Sequence, residues 1–528
     1  MKHSIILVWL LCISAVHAQV PASTTIEVNN VRATIRADGG LFTNGQEGVF
    51  VPLQPGLAEK TLLRHSGIWM IGLDPAGNLK GAVSMNGQTD FQAGLSPSLP
   101  DDWNKIWEVS CTDINQHLAD LQDNGIVDNP NTNLYSFPGR GNPFFEQYNQ
   151  FNLPPGQVMA GFFDNTANNF YDPQEGDYPA IDIRNCPLGQ SPEYQNWFVF
   201  NDNLLHPSGL GPTQSIEVHT QVFAYKTMDS SPFNNAIFVR YKLINRSPQP
   251  LDSCFIGIYA DFDIGNPGDD FLGVIPNRSI LYGYNGDPND EGGFEENIPV
   301  MALDLMRGPA DMDGVELGLS HAMVLETPNN LLPNEFYRLL TGHFADGTPA
   351  PNGGLMYPSN PNDPSGDSEV TAGSTPGQRA GLASYGPFRL IPGAVNELIV
   401  AYYYVNTPGA TPLENVQALY SQPDVLQNAF DNCFLNFEKA CDLTLNAPEA
   451  AAFNGLSIYP NPTSTFFNLE SKVKPFSRIQ IFDLLGRQMR QFELENPVHE
   501  FVVSSKDLPL GTYLVRVENR VLPLVIQR

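Results

Sequence analysis

Positive charge is scarce in this sequence. Its 528 residues hold 28 Lys and Arg against 57 Asp and Glu, for a formal net charge of −29. A polyanion would be repelled, so nucleic acid is excluded as a natural partner. Long apolar runs are also missing: beyond the N-terminus nothing approaches the ~20 apolar residues of a membrane-spanning helix. Cysteine is sparse, with six residues and no Cys-x-x-Cys, which removes zinc-ribbon and thioredoxin-type readings. The nine His are scattered, with no His-Glu-x-x-His. Gly-x-Ser-x-Gly and P-loop segments are absent. "GRGNPF" near Gly139 has two of the three glycines of a dinucleotide fingerprint, and no helical pattern follows it.

What is abundant points to β-structure. Gly and Pro contribute 45 residues each and aromatics 11%, a composition that favours short strands joined by turns. Hydrophobic residues make up 42%, enough for a large core, and the length suits two to four domains at about 100–200 residues each. The acidic residues are scattered among Asn, Gly and Pro, the pattern of solvated loops and candidate cation sites. At the N-terminus, Lys2, an apolar run over 5–16 and Val16-His17-Ala18 read as a secretory leader cleaved after Ala18. The expected domains are therefore a signal peptide over 1–18 and a β-rich extracellular body over 19–443, either one unit or two packed sub-domains.

Within the body, "TTIEVNNVRATIRADGG" alternates apolar and polar residues and ends in a turn. Ile68 to Leu73, a turn at Asp74-Pro75-Ala76-Gly77-Asn78 and a return strand read as a hairpin. "SIEVHTQVFAYK", "NAIFVRYKLINRS" and "DSCFIGIYADFDIG" follow one another at turn-sized gaps. In the second, Ile237, Val239, Tyr241 and Leu243 point one way and Arg240 and Lys242 the other, as in a half-buried antiparallel strand. A helix is expected around Ile114, Leu118 and Leu121, capped by Thr112 or Asp113 and ended by Gly125. Residues 349–377, loaded with Pro, Gly, Asn and Ser, read as either a long surface loop or a partly disordered one. Residues 444–455 read as a linker. Seven short alternating segments then fill 456–528, with Ile479, Ile481, Tyr513, Val515 and Val517 pointing inward. The fold class is thus mainly β: a multi-module β-sandwich body with few short helices, plus a C-terminal Ig-like seven-stranded sandwich.

Three stretches of that last segment are distinctive: "SIYPNPT", "IQIFDLLGRQM" and "LPLGTYLVRVE". In order and spacing they resemble the type A C-terminal sorting domain of type IX secretion in Bacteroidota. The terminal "VLPLVIQR" departs from the lysine-led final strand common in that family. The resemblance implies Sec export, recognition by the type IX outer-membrane translocon and sorting machinery, and delivery outside the cell or onto its surface. Blocks of the body, among them "HSGIWMIGLDPAGNLKGAVSM", "WNKIWEVSCTDI", "GIYADFDIGNPGDDFLG" and "YGPFRLIPGAVNELIVAYYYV", resemble a recurring family of secreted Bacteroidota proteins. That likeness implies an intact body and no particular mechanism.

Two acidic stretches are candidate sites. In "DNTANNFYDPQE", Asp164, Thr166, Asn168, Asp172 and Glu175 fall at loop positions 1, 3, 5, 9 and 12, and Phe170 offers a carbonyl at position 7. This spacing wraps hard oxygens around a structural Ca2+ ion, or serves as an Asx-rich turn. In "YADFDIGNPGDD", Asp261, Asp263, Asp269 and Asp270 repel one another unless a cation or protons intervene. Of the cysteines beyond the leader, Cys433 and Cys441 are the expected disulfide, being closest in sequence. Trp69, Trp103, Trp107 and Trp197 offer either a sugar-stacking platform or core bulk, and His219 reads as structural. Two function classes follow. The first is a non-catalytic binding or structural protein at the cell surface, with a glycan or surface ligand and stiffening by calcium. The alternative is an extracellular hydrolase acting on polysaccharide through paired carboxylates. The lack of any catalytic template favours the first.

Overall fold

Two antiparallel sheets carry the body in the computed structural model, which describes residues 20–96, 100–155, 157–187, 191–211, 213–326, 331–422, 424–435, 437–441, 456–472, 475–483, 487–517 and 520–527. The expected leader and linker lie outside the described residues. The chain divides into two compact units, residues 1–443 and 444–528.

The larger sheet runs in the order Asp270–Ile275, Ile280–Asn285, Val300–Arg307, Val395–Val405, Ala236–Asn245, Ile216–Ala224 and Tyr194–Asn201. Gln92–Ala93 and Trp107–Ser110 both pair with the last of these. The second sheet runs His321–Leu325, Arg379–Leu390, Leu251–Phe262, Leu63–Leu73, Leu79–Met85 and Gln88–Thr89. The sheets share one core. Val239, Tyr241, Val400 and Tyr402 of the larger sheet join Ile68, Ile256 and Ile258 of the second. A hydrogen bond between Ser66 Oγ and Tyr402 Oη, at 2.8 Å, crosses that core.

The alternation in Ala236–Asn245 is real, but its polar side does not face water. Ala236 and Phe238 on that side enter a second core with Phe223, Ala401 and Tyr403. Helices Pro412–Ser421 and Val425–Asp431 cover this core through Val416, Leu419, Leu426 and Phe430. Arg240 is buried and ion-paired to Glu397 at 2.7 Å and Asp182 at 3.2 Å. A charge in an alternating strand marks a solvent face only when no partner comes to cover it.

A third core holds Trp103, Trp107 and Trp197, with Ile114 and Leu118 of helix Cys111–Asn124. Trp69 lies in the main core. All four tryptophans are buried, so they are packing residues and not a sugar platform. The helix cap is Ser110, ahead of the expected Thr112 or Asp113. Ser110 Oγ accepts from the Asp113 amide (3.1 Å) while Asp113 Oδ2 accepts from the Ser110 amide (2.9 Å), a reciprocal capping box. Gly125 ends the helix in the left-handed conformation.

The expected Cys433–Cys441 bridge is not formed. Cys433 joins Cys186 and Cys441 joins Cys111, with Cα separations of 5.5 and 6.2 Å, and Cys254 is buried as a free thiol. Packing overrides nearness in sequence here. The Phe437 ring stacks on Phe233 at 4.2 Å, and the Ala440 amide donates to the Lys226 carbonyl (2.7 Å). Those contacts carry Cys441 away from Cys433 and toward the start of the Cys111 helix.

The C-terminal unit has two sheets. One is Leu456–Tyr459, Phe466–Ser471 and Glu500–Ser504; the other is Gln488–Val498, Phe476–Asp483, Gly511–Val517 and Arg520–Ile526. Ile479, Ile481, Tyr513, Val515 and Val517 are all buried in their shared core, as the alternation predicts.

Residues 349–377 take the first of the two expected forms, a long loop, with short helical turns at Pro351–Gly354 and Glu369–Ala372, and a buried ion pair pins it. Glu369 is 1% exposed, pairs with Arg379 at 2.9 Å and accepts from the Leu272 amide at 2.8 Å. Removing the carboxylate strands a buried guanidinium, so Glu369→Ala is expected to cost about 3–5 kcal/mol in urea unfolding. Faster proteolysis within 349–377 should accompany it. A loss below about 1 kcal/mol would mean the pair is not holding this segment.

Candidate functional site

The segment "YADFD" is where the second sheet turns from packing to chemistry. Its strand, Leu251–Phe262, lies between Leu63–Leu73 and Arg379–Leu390. The register sets Asp261 opposite His65 on one side and Ala380 on the other. Cross-strand partners share a face. Two residues earlier on that face, Tyr259 stacks on Trp69 at 5.8 Å. Beyond this apolar layer lies a polar cavity of about 270 Å³, lined by Thr43, Arg64, His65, Asn86, Asp261, Glu326 and Gln378 among others.

Asp261 is the unusual member. It is 4% exposed, and no hydrogen-bond donor among the described residues reaches its carboxyl. Burial pushes the carboxyl up to about 7, repulsion from Asp263 adds to this, and Arg64 pulls back. His65 is buried with Nε2 3.2 Å from Ser84 Oγ. Burial, together with the nearby Arg36 charge, lowers its imidazole to about 4, so it is neutral at pH 7. The Asn86-Gly87 hairpin tip forms one rim, both residues having positive φ. Asn86 Oδ1 accepts from the Tyr259 hydroxyl at 2.6 Å. A second cavity, about 350 Å³, shares Asn86 and is lined also by Met85, Gln88, Asp90, Ser208 and Phe336 among others. The first cavity therefore offers two carboxyls, a guanidinium, a neutral imidazole and side-chain amides. This set both donates and accepts hydrogen bonds over a short span.

The structure divides the four aspartates expected together. Asp261 faces the cavity, while Asp263, Asp269 and Asp270 gather at the other end of the turn. Burial raises Asp263 and Asp269 to about 6, with Asp290 adding repulsion to both. Asp270, with no exposed surface, is raised well above the usual carboxylate range by burial, with Asp263, Asp269 and Asp290 adding to it.

In the other acidic stretch, Asp164 accepts from the amides of Asn168 (3.1 Å) and Asn169 (2.7 Å). Thr166 Oγ1 and Asn168 Nδ2 both donate to Glu175 Oε2, at 3.0 and 2.8 Å. The Phe170 amide donates to Asn168 Oδ1 (2.7 Å), and the Phe170 ring lies beneath Arg140. Asp172 Oδ1 caps the turn Pro173–Glu175 by accepting from the Gln174 amide (2.9 Å). Thr166, Asn168 and Glu175 thus come together, Asp164 holds the loop backbone, and Asp172 serves the exit. Sequence reasoning missed Asp177, which is fully buried and accepts from the Asn165 and Asp172 amides at 2.8 Å each, pinning both ends of the loop. Among the described residues, no three His, Cys, Asp or Glu side chains are arranged to hold one metal ion. His219 is buried with Nε2 2.8 Å from Glu217 Oε1, against the edge of Trp197.

Arg64, His65, Glu326 and Gln378 were also missed. They come from three separate strands or their flanks and carry no local motif. The one signal was Asp261 itself, a carboxylate within an apolar run.

The family model described as "Secretion system C-terminal sorting domain" matches residues 457–525. A comparison with curated proteins found no match. Among solved structures the chain is similar to a polysaccharide lyase at 8% identity, covering 66% of this chain and 37% of that one. The TM-score of 0.19 is too low to carry an argument about fold or activity.

The raised carboxyls fix the sign of a pH effect. Asp261, held near 7, and Asp263 and Asp269, near 6, bind protons more tightly folded than unfolded. Their contribution is fully present below about pH 4 and is lost as pH rises through 6 to 7. In chelator, the melting temperature is expected to be higher at pH 5 than at pH 7.5. Asp261→Asn should flatten that difference. A profile that falls steadily from pH 7.5 to 5 would contradict this account of the acidic turn.

Proposed function

We propose, from the premise that residues 457–525 are the sorting domain that sends this chain out through type IX secretion, that the body works outside the cell as a non-catalytic binding protein. Its ligand is a glycan, seated in the polar cavity at Asp261. One observation carries this reading: Asp261, 4% exposed and without a hydrogen-bond donor on its carboxyl among the described residues, lines a cavity together with side-chain amides, a hydroxyl, an imidazole, a second carboxyl and a guanidinium. A carboxyl opening into such a cavity is available to accept from a ligand. Sugar hydroxyls both donate and accept, so one ring can give a hydrogen to Asp261 and take one from Arg64 or Gln378. The second cavity shares the Asn86 rim, which suits a ligand longer than one ring. Export by the type IX translocon places such a cavity where extracellular glycans are met.

A hydrolase is the second reading. It is favoured by Asp261 being held near 7 with a second carboxyl, Glu326, lining the same cavity, since glycoside cleavage uses two carboxyls, one of them a general acid with a raised pKa. A glycan array probed with the secreted full chain, followed by calorimetry on the hits, tests both. Binding is expected, and Asp261→Asn should weaken it about 10–100-fold, as loss of a charged hydrogen bond does, with the glycan left intact. Release of new reducing ends that stops in Asp261→Asn or Glu326→Gln would establish the hydrolase. Glycan binding unchanged in Asp261→Asn would remove the cavity as the seat.

A further inference from the structure

Strands Asp270–Ile275 and Ile280–Asn285 pair so that Asp270 stands directly opposite Asn285. Directly opposed residues place their side chains on one face. Both are buried, at 0% and 1% exposure. Asp270 Oδ2 accepts from the Ile264 amide at 3.1 Å, and Asn285 Nδ2 donates to the Asp287 carbonyl at 3.0 Å. That leaves Asp270 Oδ1 and Asn285 Oδ1, two buried acceptors with no hydrogen-bond partner among the described residues. The bond from Ile264 brings the preceding residue, Asp263, alongside. Its Oδ1 is a third buried acceptor with no partner, and Asp269 Oδ1 is a fourth.

The surroundings offer these atoms little relief. Asp290, next to the cluster, is also a carboxylate, and its oxygens already take the amides of Asn266 (2.9 Å) and Phe294 (2.5 Å). Asn266 Nδ2 is spent on Asp269 Oδ2 at 3.2 Å. Oxygen acceptors of like charge, buried together without donors, are strongly unfavourable unless something positive sits among them. Hard oxygens with no His or Cys select a cation of the calcium or magnesium class.

We propose that a divalent cation of calcium type binds between Asp263, Asp270 and Asn285, with Asp269 at its margin. The site does not call for three converging carboxylates: two carboxylates, the Asn285 amide oxygen, and backbone carbonyls or water complete a calcium shell. It is separate from the 164–175 loop. The competing way to satisfy the same atoms is a proton on Asp270 donated to Asn285 Oδ1, and the two differ in what calcium does.

The experiment is calcium calorimetry and thermal unfolding on the full chain, freed of metal, at pH 7.5. Beside it run Asp270→Asn, Asn285→Asp and Asp164→Ala. Wild type is expected to bind calcium and to gain roughly 3 °C in melting temperature at a hundredfold excess over Kd. Asp270→Asn should lose one bound ion per chain and that gain, while Asp164→Ala keeps both. If Asp270→Asn does not fold, Asn285→Asp decides. With an ion site, the added carboxylate tightens calcium binding at least about threefold. Without one, it only adds repulsion, lowering the melting temperature with no response to calcium. No calcium uptake by wild type, or uptake lost only in Asp164→Ala, would overturn the proposal.

Discussion

The constraint on which the body depends is that its larger sheet is covered on both faces. One face closes against the second sheet around Tyr241, Tyr402 and Ile258. The other is roofed by two separate cores, one beneath Pro412–Ser421 and Val425–Asp431, the other beneath Cys111–Asn124. A doubly buried antiparallel sheet cannot send polar side chains to water. Several pair in place: Arg240 with Glu397 and Asp182, His219 with Glu217, and Gln221 with Gln195. The two disulfides belong to the same design. Cys111–Cys441 ties the Cys111 helix to the segment after Phe437, and Cys186–Cys433 ties the end of the Val425–Asp431 helix to the chain before Tyr194. Each closes a loop of over two hundred residues, which is where cross-links restrict the unfolded chain most.

Buried carboxyls gather where that coverage ends. Over a dozen residues the chain from Tyr259 to Asp270 passes through three environments. Tyr259 packs on Trp69, Asp261 looks into a polar cavity, and Asp270 stands opposite Asn285 at a strand end. The carboxyls are kept costly by burial and by one another. Such groups persist when something outside the chain, a proton, a cation or a ligand, completes them. The cavity and the buried acceptors around Asp270 therefore both arise from one acidic turn.

The C-terminal unit follows a simpler logic. Its alternating strands bury one side each, in a core of their own from Phe467 to Ile526. Local patterning and turn residues suffice to specify such a unit, which agrees with its being recognised from three short stretches. Its task is also local, since a sorting domain is read as a unit whatever body it carries.

Sequence alone determined the mainly β class, the inward faces of Ala236–Asn245 and of the C-terminal strands, and the sorting address. Each rests on a period of two or on a short contiguous stretch, and neither needs knowledge of distant partners. Tertiary structure alone decided the rest. It buried the polar side of the strand carrying Arg240, because Glu397 and Asp182 lie far from it in the chain. It paired Cys433 with Cys186, because ring packing outweighs a short loop. It separated Asp261 from Asp263 and Asp270, and brought Arg64, Glu326 and Asn285 to them from other strands. Side chains that meet only across a sheet leave no spacing to read, because register, and not sequence distance, sets their contact.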